Sequence, residues 1–165
     1  ERSYKAATVL ARWPKTQVEV RTKADENPLM LAALHGQLEY ARLLVSRGAD
    51  VNKPGWTPLH YAATGGHLDI VKLLLEHSAY IDAQSPNHTT PLMMAARQRH
   101  VTLARYLVEQ GADPTQRNEA GLSAADYLMR HGETDLAQWM QAKAAEFESR
   151  YGTISAPKPA RPKAD

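Results

Sequence analysis

Residues 55–75 read GWTPLHYAATGGHLDIVKLLL, and the tetrapeptide inside this stretch, Thr57-Pro58-Leu59-His60, returns along the chain at a nearly fixed interval. It recurs as TPLM at 90–93, degrades to SAAD at 123–126, and is preceded by NPLM at 27–30. A period near 33 residues is typical of repeat proteins. Each unit of such a protein buries its core against its neighbours and the array presents an extended surface, which favours binding over catalysis.

Each unit carries the pattern of two helices joined by a short turn. Proline at the first helical position lacks an N–H that would be unsatisfied anyway, and the threonine hydroxyl before it can cap the helix. A pair of alanines then lets two helices approach closely. After the turn, an apolar run with leucines three and four residues apart gives the second helix an apolar face. The alanine pairs stand at 32–33, 62–63 and 95–96, and the apolar runs at 40–45, 70–75 and 103–108.

The second helix of each unit ends at Gly48, Ser78 or Gly111. Glycine adopts the left-handed conformation at a helix end without a steric penalty. Ser78 lacks that freedom, so we expect either backbone strain or a different cap there. The residues that follow are expected to form a projecting β-hairpin, and the hairpin at 52–56 is three residues shorter than the next one.

The segments 55–63 and 66–75 together resemble the ankyrin repeat, and the match extends over roughly 18–141. It is specific, because two linked signatures recur in register in successive units. The resemblance implies an all-α ankyrin repeat solenoid of helix-turn-helix units joined by β-hairpin loops, with about four repeats plus a degenerate N-terminal capping helix. The implied domain is 1–154, comprising a degenerate N-terminal capping repeat at 1–26, repeats at 27–56, 57–89 and 90–122, and a C-terminal capping repeat at 123–150.

The two ends of the array are expected to differ from its middle, since terminal units need a polar outer face. Residues 5–13 resemble the second helix of the degenerate first repeat, with Val18 standing where Val51 stands one unit later. Residues 135–147 resemble an overlong final helix. Residues 155–165 hold three prolines and little to bury, so we expect a disordered Pro/Ala/Lys tail.

Ankyrin arrays typically hold a protein partner in the groove between first helices and hairpin tips, with no chemistry of their own. The resemblance therefore implies a non-enzymatic protein–protein interaction module with an unknown protein partner. Aromatic residues, Met and Arg dominate hot spots at protein interfaces, although each could equally fill space between repeats. For Trp56 the binding role is favoured, because a short hairpin leaves its ring little to pack under. The implied groove positions are Leu31, Leu34, His35, Trp56, Tyr61, Thr64, Met94, Arg97, Gln98, Tyr127 and Arg130.

Seven histidines leave an alternative hypothesis, a small-ligand or metal-binding ankyrin protein that uses the His and Arg residues of the turns. The resemblance implies a framework role for His60, which bonds between adjacent hairpins, and for His67. No helix pairs two histidines at metal-binding spacing, and no phosphate loop, nucleophile elbow or cysteine is present. The sequence therefore predicts no catalytic residue, no metal site and no cofactor.

Arginine replaces glycine in the turn between the helices of the third full unit. Arg99 stands there, so we expect it to adopt a positive φ. Together with Arg97 and Arg105 it would form either a local anion site or, as is more usual at this spacing, a solvated face.

The charge and hydropathy of the chain exclude some classes of binding partner. The formal charge is +2, but residues 28–141 hold nine Lys and Arg against eleven Asp and Glu, a net charge of −2. A nucleic-acid partner is not expected, since it would require a basic stripe on the folded face. No run of about eighteen apolar residues is present, so we expect no membrane insertion, and a chain that is monomeric alone.

The prediction of the cellular compartment depends on less specific features of the sequence. Segments 52–56 and 91–96 are similar to small ankyrin repeat proteins of proteobacteria. Together with the absence of cysteine and the start at Glu1 without methionine, this similarity puts the bacterial periplasm first and the cytoplasm second.

Overall fold

A computed structural model describes residues 18–152, and in this range the chain forms four successive pairs of helices. This architecture confirms the predicted all-α repeat fold. We call α1, α3, α5 and α7 the first helices and the others the second helices. Their bounds are α1 Pro28–Leu34, α2 Leu38–Ser46, α3 Pro58–Gly65, α4 Leu68–Glu76, α5 Pro91–Arg97, α6 Val101–Glu109, α7 Ala124–Arg130 and α8 Thr134–Tyr151.

The first helices begin where the repeated tetrapeptide begins. The Thr57 side chain accepts a hydrogen bond from the backbone N–H of His60, and the His60 side chain accepts one from the backbone N–H of Thr57. Such a reciprocal box satisfies two donors that the helix itself leaves unpaired. Asn27, Thr90 and Ser123 cap α1, α5 and α7 by the same side-chain contact.

First helices pack directly against one another in series, and each also contacts the second helix of its own unit. The alanines of each predicted pair are fully buried, which leaves room for this close approach. Leu59, Leu74 and Met140 are among the largest side chains without solvent contact. The core therefore runs the length of the array between units, and the outer side of the first helices is left to form the candidate site.

Two glycines between paired helices are required by the histidine of the following unit. A Cβ atom on Gly36 would lie 2.6 Å from His67 Cε1, and one on Gly66 would lie 2.6 Å from His100 Cε1. Glu133 takes the place of this histidine in the last unit, so a side chain fits at Arg99, which pairs with Glu133 at 2.9 Å. The predicted positive φ of Arg99 is confirmed at 61°.

Ser78 lies just beyond the end of α4 with a φ of 65°, so of the two alternatives expected at this position the backbone strain is confirmed. A non-glycine residue in this conformation costs about 1 kcal/mol. The loop that follows reverses the chain through turns, and its backbone hydrogen bonds include one from the Ser85 N–H to the Thr89 carbonyl at 3.0 Å. No residue in the range 18–152 is in a β-strand.

The loops are instead tied to each other by side chains at equivalent positions. Asn52 Oδ1 accepts the Tyr80 N–H at 2.8 Å, and Asp82 Oδ1 accepts the Asp113 N–H at 3.0 Å. Asn52 also donates from Nδ2 to the Ser78 carbonyl at 2.8 Å. A carboxylate cannot make this second bond, and burial, with the nearby Asp113 charge, raises the pKa of Asp82 to about 6.

We therefore expect Asp82→Asn to stabilise the protein by about 2 kcal/mol at pH 7, because a pKa raised from 3.8 to about 6 means that ionised Asp82 destabilises the fold. The folded state binds the extra proton between these two values, so the gain should vanish towards pH 4. Urea denaturation at pH 4 and pH 7 measures it. Glu119→Gln, an exposed loop change, should shift stability by less than about 0.5 kcal/mol at both values; an equal gain from both variants would contradict the assignment.

The ends of the array are described only in part. Helix α8, predicted over 135–147, runs on to Tyr151 because Glu148 and Arg150 favour helix, and it ends at Gly152, whose φ is 79°. Val18 packs against the core, and Glu19 Oε1 accepts the Asp50 N–H at 2.8 Å, at the position equivalent to Asn52. The predicted helix at 5–13 and the predicted disorder at 155–165 lie outside the described residues.

Candidate functional site

A pocket of about 250 Å³ opens on the side of the array formed by the first helices. We call it the pocket, and its lining comes from three successive units and from the short loop between the first two. All of its residues are among the groove positions that the sequence predicts. They are Leu34, Trp56, Tyr61, Thr64 and Met94.

Trp56 enters the pocket from the loop before α3. Its ring is half-buried and meets the His60 ring edge-on, with centroids 5.3 Å apart and an interplanar angle of 74°. The expectation that this ring has little to pack under is therefore wrong, since the last residue of the repeated tetrapeptide supports it. A supported ring is pre-positioned, which lowers the entropy cost of using it as a contact.

His60 is fully buried beneath the pocket and joins two units. Its Nδ1 accepts the Thr57 N–H at 3.1 Å, so its Nε2 carries the proton and donates to the Thr89 carbonyl at 2.8 Å. Burial lowers the pKa of this imidazole to about 4. These bonds are those expected of a framework histidine.

Tyr61 is held in place by its hydroxyl, which donates to Glu26 Oε1 at 3.1 Å. Partial burial, together with this carboxylate, raises the pKa of Tyr61 to about 12. Glu26 is not among the groove positions that the sequence predicts. Its contact joins the loop before one unit to the first helix of the next, and no local pattern signals such a contact.

Met94 and Thr64 form two further walls of the pocket. Met94 is only 8% exposed, so it offers the pocket a small apolar surface. Thr64 Oγ1 donates to the His60 carbonyl at 2.8 Å within the same helix. The hydroxyls of Thr64 and Tyr61 both donate hydrogen bonds within the protein. The pocket therefore presents mainly apolar surface.

The other predicted groove residues lie outside the pocket lining. Leu31 is half-buried on α1, and Tyr127 is half-buried with its hydroxyl accepting a bond from Asn118 Nδ2 at 2.9 Å, which ties it to a loop. The remaining four are exposed at the ends of first helices: His35, Arg97, Gln98 and Arg130.

The turn histidines and arginines make structural contacts. His67 Nε2 donates to the Leu34 carbonyl at 3.1 Å, and His100 Nε2 donates to the Thr64 carbonyl at 3.0 Å, each reaching the unit before. Arg99 is paired with Glu133, and the Arg105 guanidinium lies 4.4 Å from the centroid of the Trp139 ring. The arginines thus contact different partners instead of forming one anion site.

Within residues 18–152, no three His, Asp or Glu side chains come together in a group that could hold a metal ion. No helix there is both long and apolar enough to cross a bilayer.

Helix pairs stacked in register define the class of helical repeat solenoids. Sequence comparison gives the family: the model described as "Ankyrin repeats (3 copies)" matches residues 3–85, and "Ankyrin repeats (many copies)" matches residues 76–128. The chain belongs to the ankyrin repeat family. Ankyrin repeats are generally protein-interaction modules, typically without enzymatic activity.

Relatives include much larger animal proteins. The chain is 30% identical over 144 residues to the ankyrin repeat and KH domain-containing protein mask-1 of Caenorhabditis elegans, which covers 84% of this chain and 6% of that protein. It is 36% identical over 135 residues to the mouse ankyrin repeat and SAM domain-containing protein 6, covering 76% and 15%. It is 37% identical over 99 residues to the Drosophila melanogaster palmitoyltransferase Hip14, covering 58% and 16%. The chain therefore spans less than a fifth of each of these relatives.

Proposed function

We propose that this protein is a non-enzymatic interaction module that holds a partner protein on the surface of its first helices, with the pocket as the centre of the contact. The observation that carries the proposal is the convergence of Leu34, Trp56, Tyr61, Thr64 and Met94 on one apolar cavity. These residues come from three successive units and from the loop between the first two, and all five are among the groove positions that the ankyrin resemblance implies.

The size and chemistry of the pocket support a protein partner over a small molecule. Small-molecule sites are commonly about 300–1,000 Å³ and place a few free polar groups to orient the ligand. Here the volume is about 250 Å³, and the hydroxyls of Tyr61 and Thr64 are already bonded within the protein. A cavity of this size suits one large apolar side chain of a partner.

The proposal predicts that Trp56→Ala weakens partner binding by about thirtyfold, as expected for a central aromatic anchor. Proteins retained by the immobilised parent chain from a cell extract would be identified by mass spectrometry, purified, and measured by isothermal titration calorimetry. Loss of the indole removes a pocket wall while leaving the histidine bonds between units intact.

Tyr80→Ala provides the matched control, because this ring is 68% exposed and lies outside the pocket lining. It should bind partners like the parent. Equal affinity of the parent and Trp56→Ala, with both folded by circular dichroism, would refute the placement of the binding site at the pocket.

A further inference from the structure

Two cations on the surface beside the pocket have no carboxylate partner in the part of the chain that the structure describes. Arg97 and Arg130 are exposed in the last turns of α5 and α7. Two acidic groups of the last unit are already taken, since Glu133 pairs with Arg99 at 2.9 Å and Asp126 pairs with Arg117 at 2.8 Å. Within residues 18–152, no carboxylate lies within 4 Å of Arg97 or Arg130. We call these two residues the cationic pair.

The helix dipole does not by itself explain why the two cations occur at these positions. A cation in the last turn of a helix interacts favourably with the helix dipole, and this would hold for every first helix. The equivalent positions in α1 and α3 are Leu34 and Thr64, both of which line the pocket. One position in the repeat is therefore apolar or neutral at the pocket and cationic in the two units that follow.

The cationic pair lies within reach of the pocket. Met94 and Arg97 are three residues apart on α5, so their Cβ atoms are about 5–6 Å apart on one face. Helices α5 and α7 pack directly against each other, and packed helices are about 8–10 Å apart, which sets the further distance to Arg130. An extended peptide advances about 3.3 Å per residue, so this path corresponds to roughly two to five residues.

We infer that the groove takes an extended acidic segment of a partner protein, with one large apolar side chain in the pocket and Asp or Glu about two to five residues away on the cationic pair. This rests on the proposed function. The chain's own tail is a poor candidate for the occupant, because it carries Lys158, Arg161 and Lys163 and would meet like charge.

Synthetic peptides test the charge preference directly. Fluorescein-labelled peptides of about twelve residues would carry one Phe in a neutral Ser/Ala background, with Glu, Gln or Lys at positions two to five residues from it on either side. Anisotropy titrations of the parent protein should show the best Glu peptide binding at least about fivefold more tightly than its Gln counterpart, and more tightly again than its Lys counterpart. The preference should weaken as salt rises.

Charge variants of the protein locate the preference. The double variant Arg97→Gln/Arg130→Gln should bind the Glu and Gln peptides equally. Arg42→Gln/Lys72→Gln, which makes the same change in net charge on the exposed faces of α2 and α4, should keep the preference. Trp56→Ala should lower the affinity for every peptide that binds in the groove.

The outcomes separate the inference from the proposed function. Trp56-dependent binding with equal affinity for Glu and Gln peptides overturns the acidic segment and leaves the interaction module standing. A preference that persists in Arg97→Gln/Arg130→Gln, or displacement of the peptide by oligothymidylate, also overturns it. If no peptide of any charge binds, and if the partners from extract bind Trp56→Ala as tightly as the parent, both the acidic-segment inference and the proposed function are refuted.

Discussion

Gly65→Ala is expected to destabilise the protein by at least about 3 kcal/mol, the largest effect we predict for so small a change. A Cβ atom on Gly65 would lie 2.4 Å from the Leu34 carbonyl oxygen and 2.5 Å from His67 Cδ2. The nearer atom is backbone of the preceding unit and cannot move without shifting α1. It also accepts the hydrogen bond from His67, so relieving the clash would break a contact between units.

The position itself tolerates a side chain elsewhere in the array, which provides a control. Gln98 is the equivalent residue one unit later and is exposed, so Gln98→Ala should change stability by less than about 0.5 kcal/mol. Urea denaturation of both variants measures the difference. A loss below about 1 kcal/mol for Gly65→Ala would mean that the two units can separate more easily than their packing indicates.

His60→Ala is expected to cost about 4 kcal/mol at pH 7. It leaves a cavity at a fully buried position and removes the partners of the Thr57 N–H and the Thr89 carbonyl. It also removes the ring that supports Trp56, so the pocket should lose its shape in the same variant.

The stability lost in His60→Ala should depend on pH, because the His60 imidazole is buried in its neutral form. Because burial lowers the pKa of His60 from 6.5 to about 4, the unfolded chain takes up a proton over this range that the folded chain does not. Stability contributed by His60 is therefore present above about pH 6.5 and is lost as the pH falls towards 4. The gap between the parent and His60→Ala should shrink by about 3 kcal/mol between pH 7 and pH 4.

Comparing the parent with its own variant removes the contribution of Asp82, whose raised pKa acts with the opposite sign over part of the same range. His77→Ala is the matched control, since His77 is exposed at the end of α4. It should change stability by less than about 0.5 kcal/mol at either pH. A gap for His60→Ala that stays constant with pH would show that the imidazole is not buried in its neutral form.

Much of the candidate site could be predicted because the repeat register carries positions from one unit to the next. Once Thr57 and Thr90 are aligned, Tyr61 and Met94 follow as equivalent residues on successive first helices. The register does not report how a side chain is held. The Tyr61 bond to Glu26 and the Trp56 contact with His60 depend on where loops meet helices of another unit.

The packing of neighbouring units also explains why Arg99 stands where the earlier units have glycine, a change that the sequence alone shows only as a break in the repeat pattern. Glycine is required at 36 and 66 because a histidine ring of the next unit occupies the space, whereas Arg99 is followed by Glu133 and fits. Such paired changes are a property of neighbouring units and cannot be derived within one unit.

The sequence by itself determined the ankyrin fold and the positions of the paired helices, because both follow from a local pattern of caps, alanines and leucines repeated in register, and the resemblance carried by that pattern implied the groove positions. Only the tertiary structure decided which groove residues close into one pocket, and which arginines near it are already paired. The physical reason is that both depend on distances between units, where burial and ion pairing are set by side chains about thirty residues apart or more.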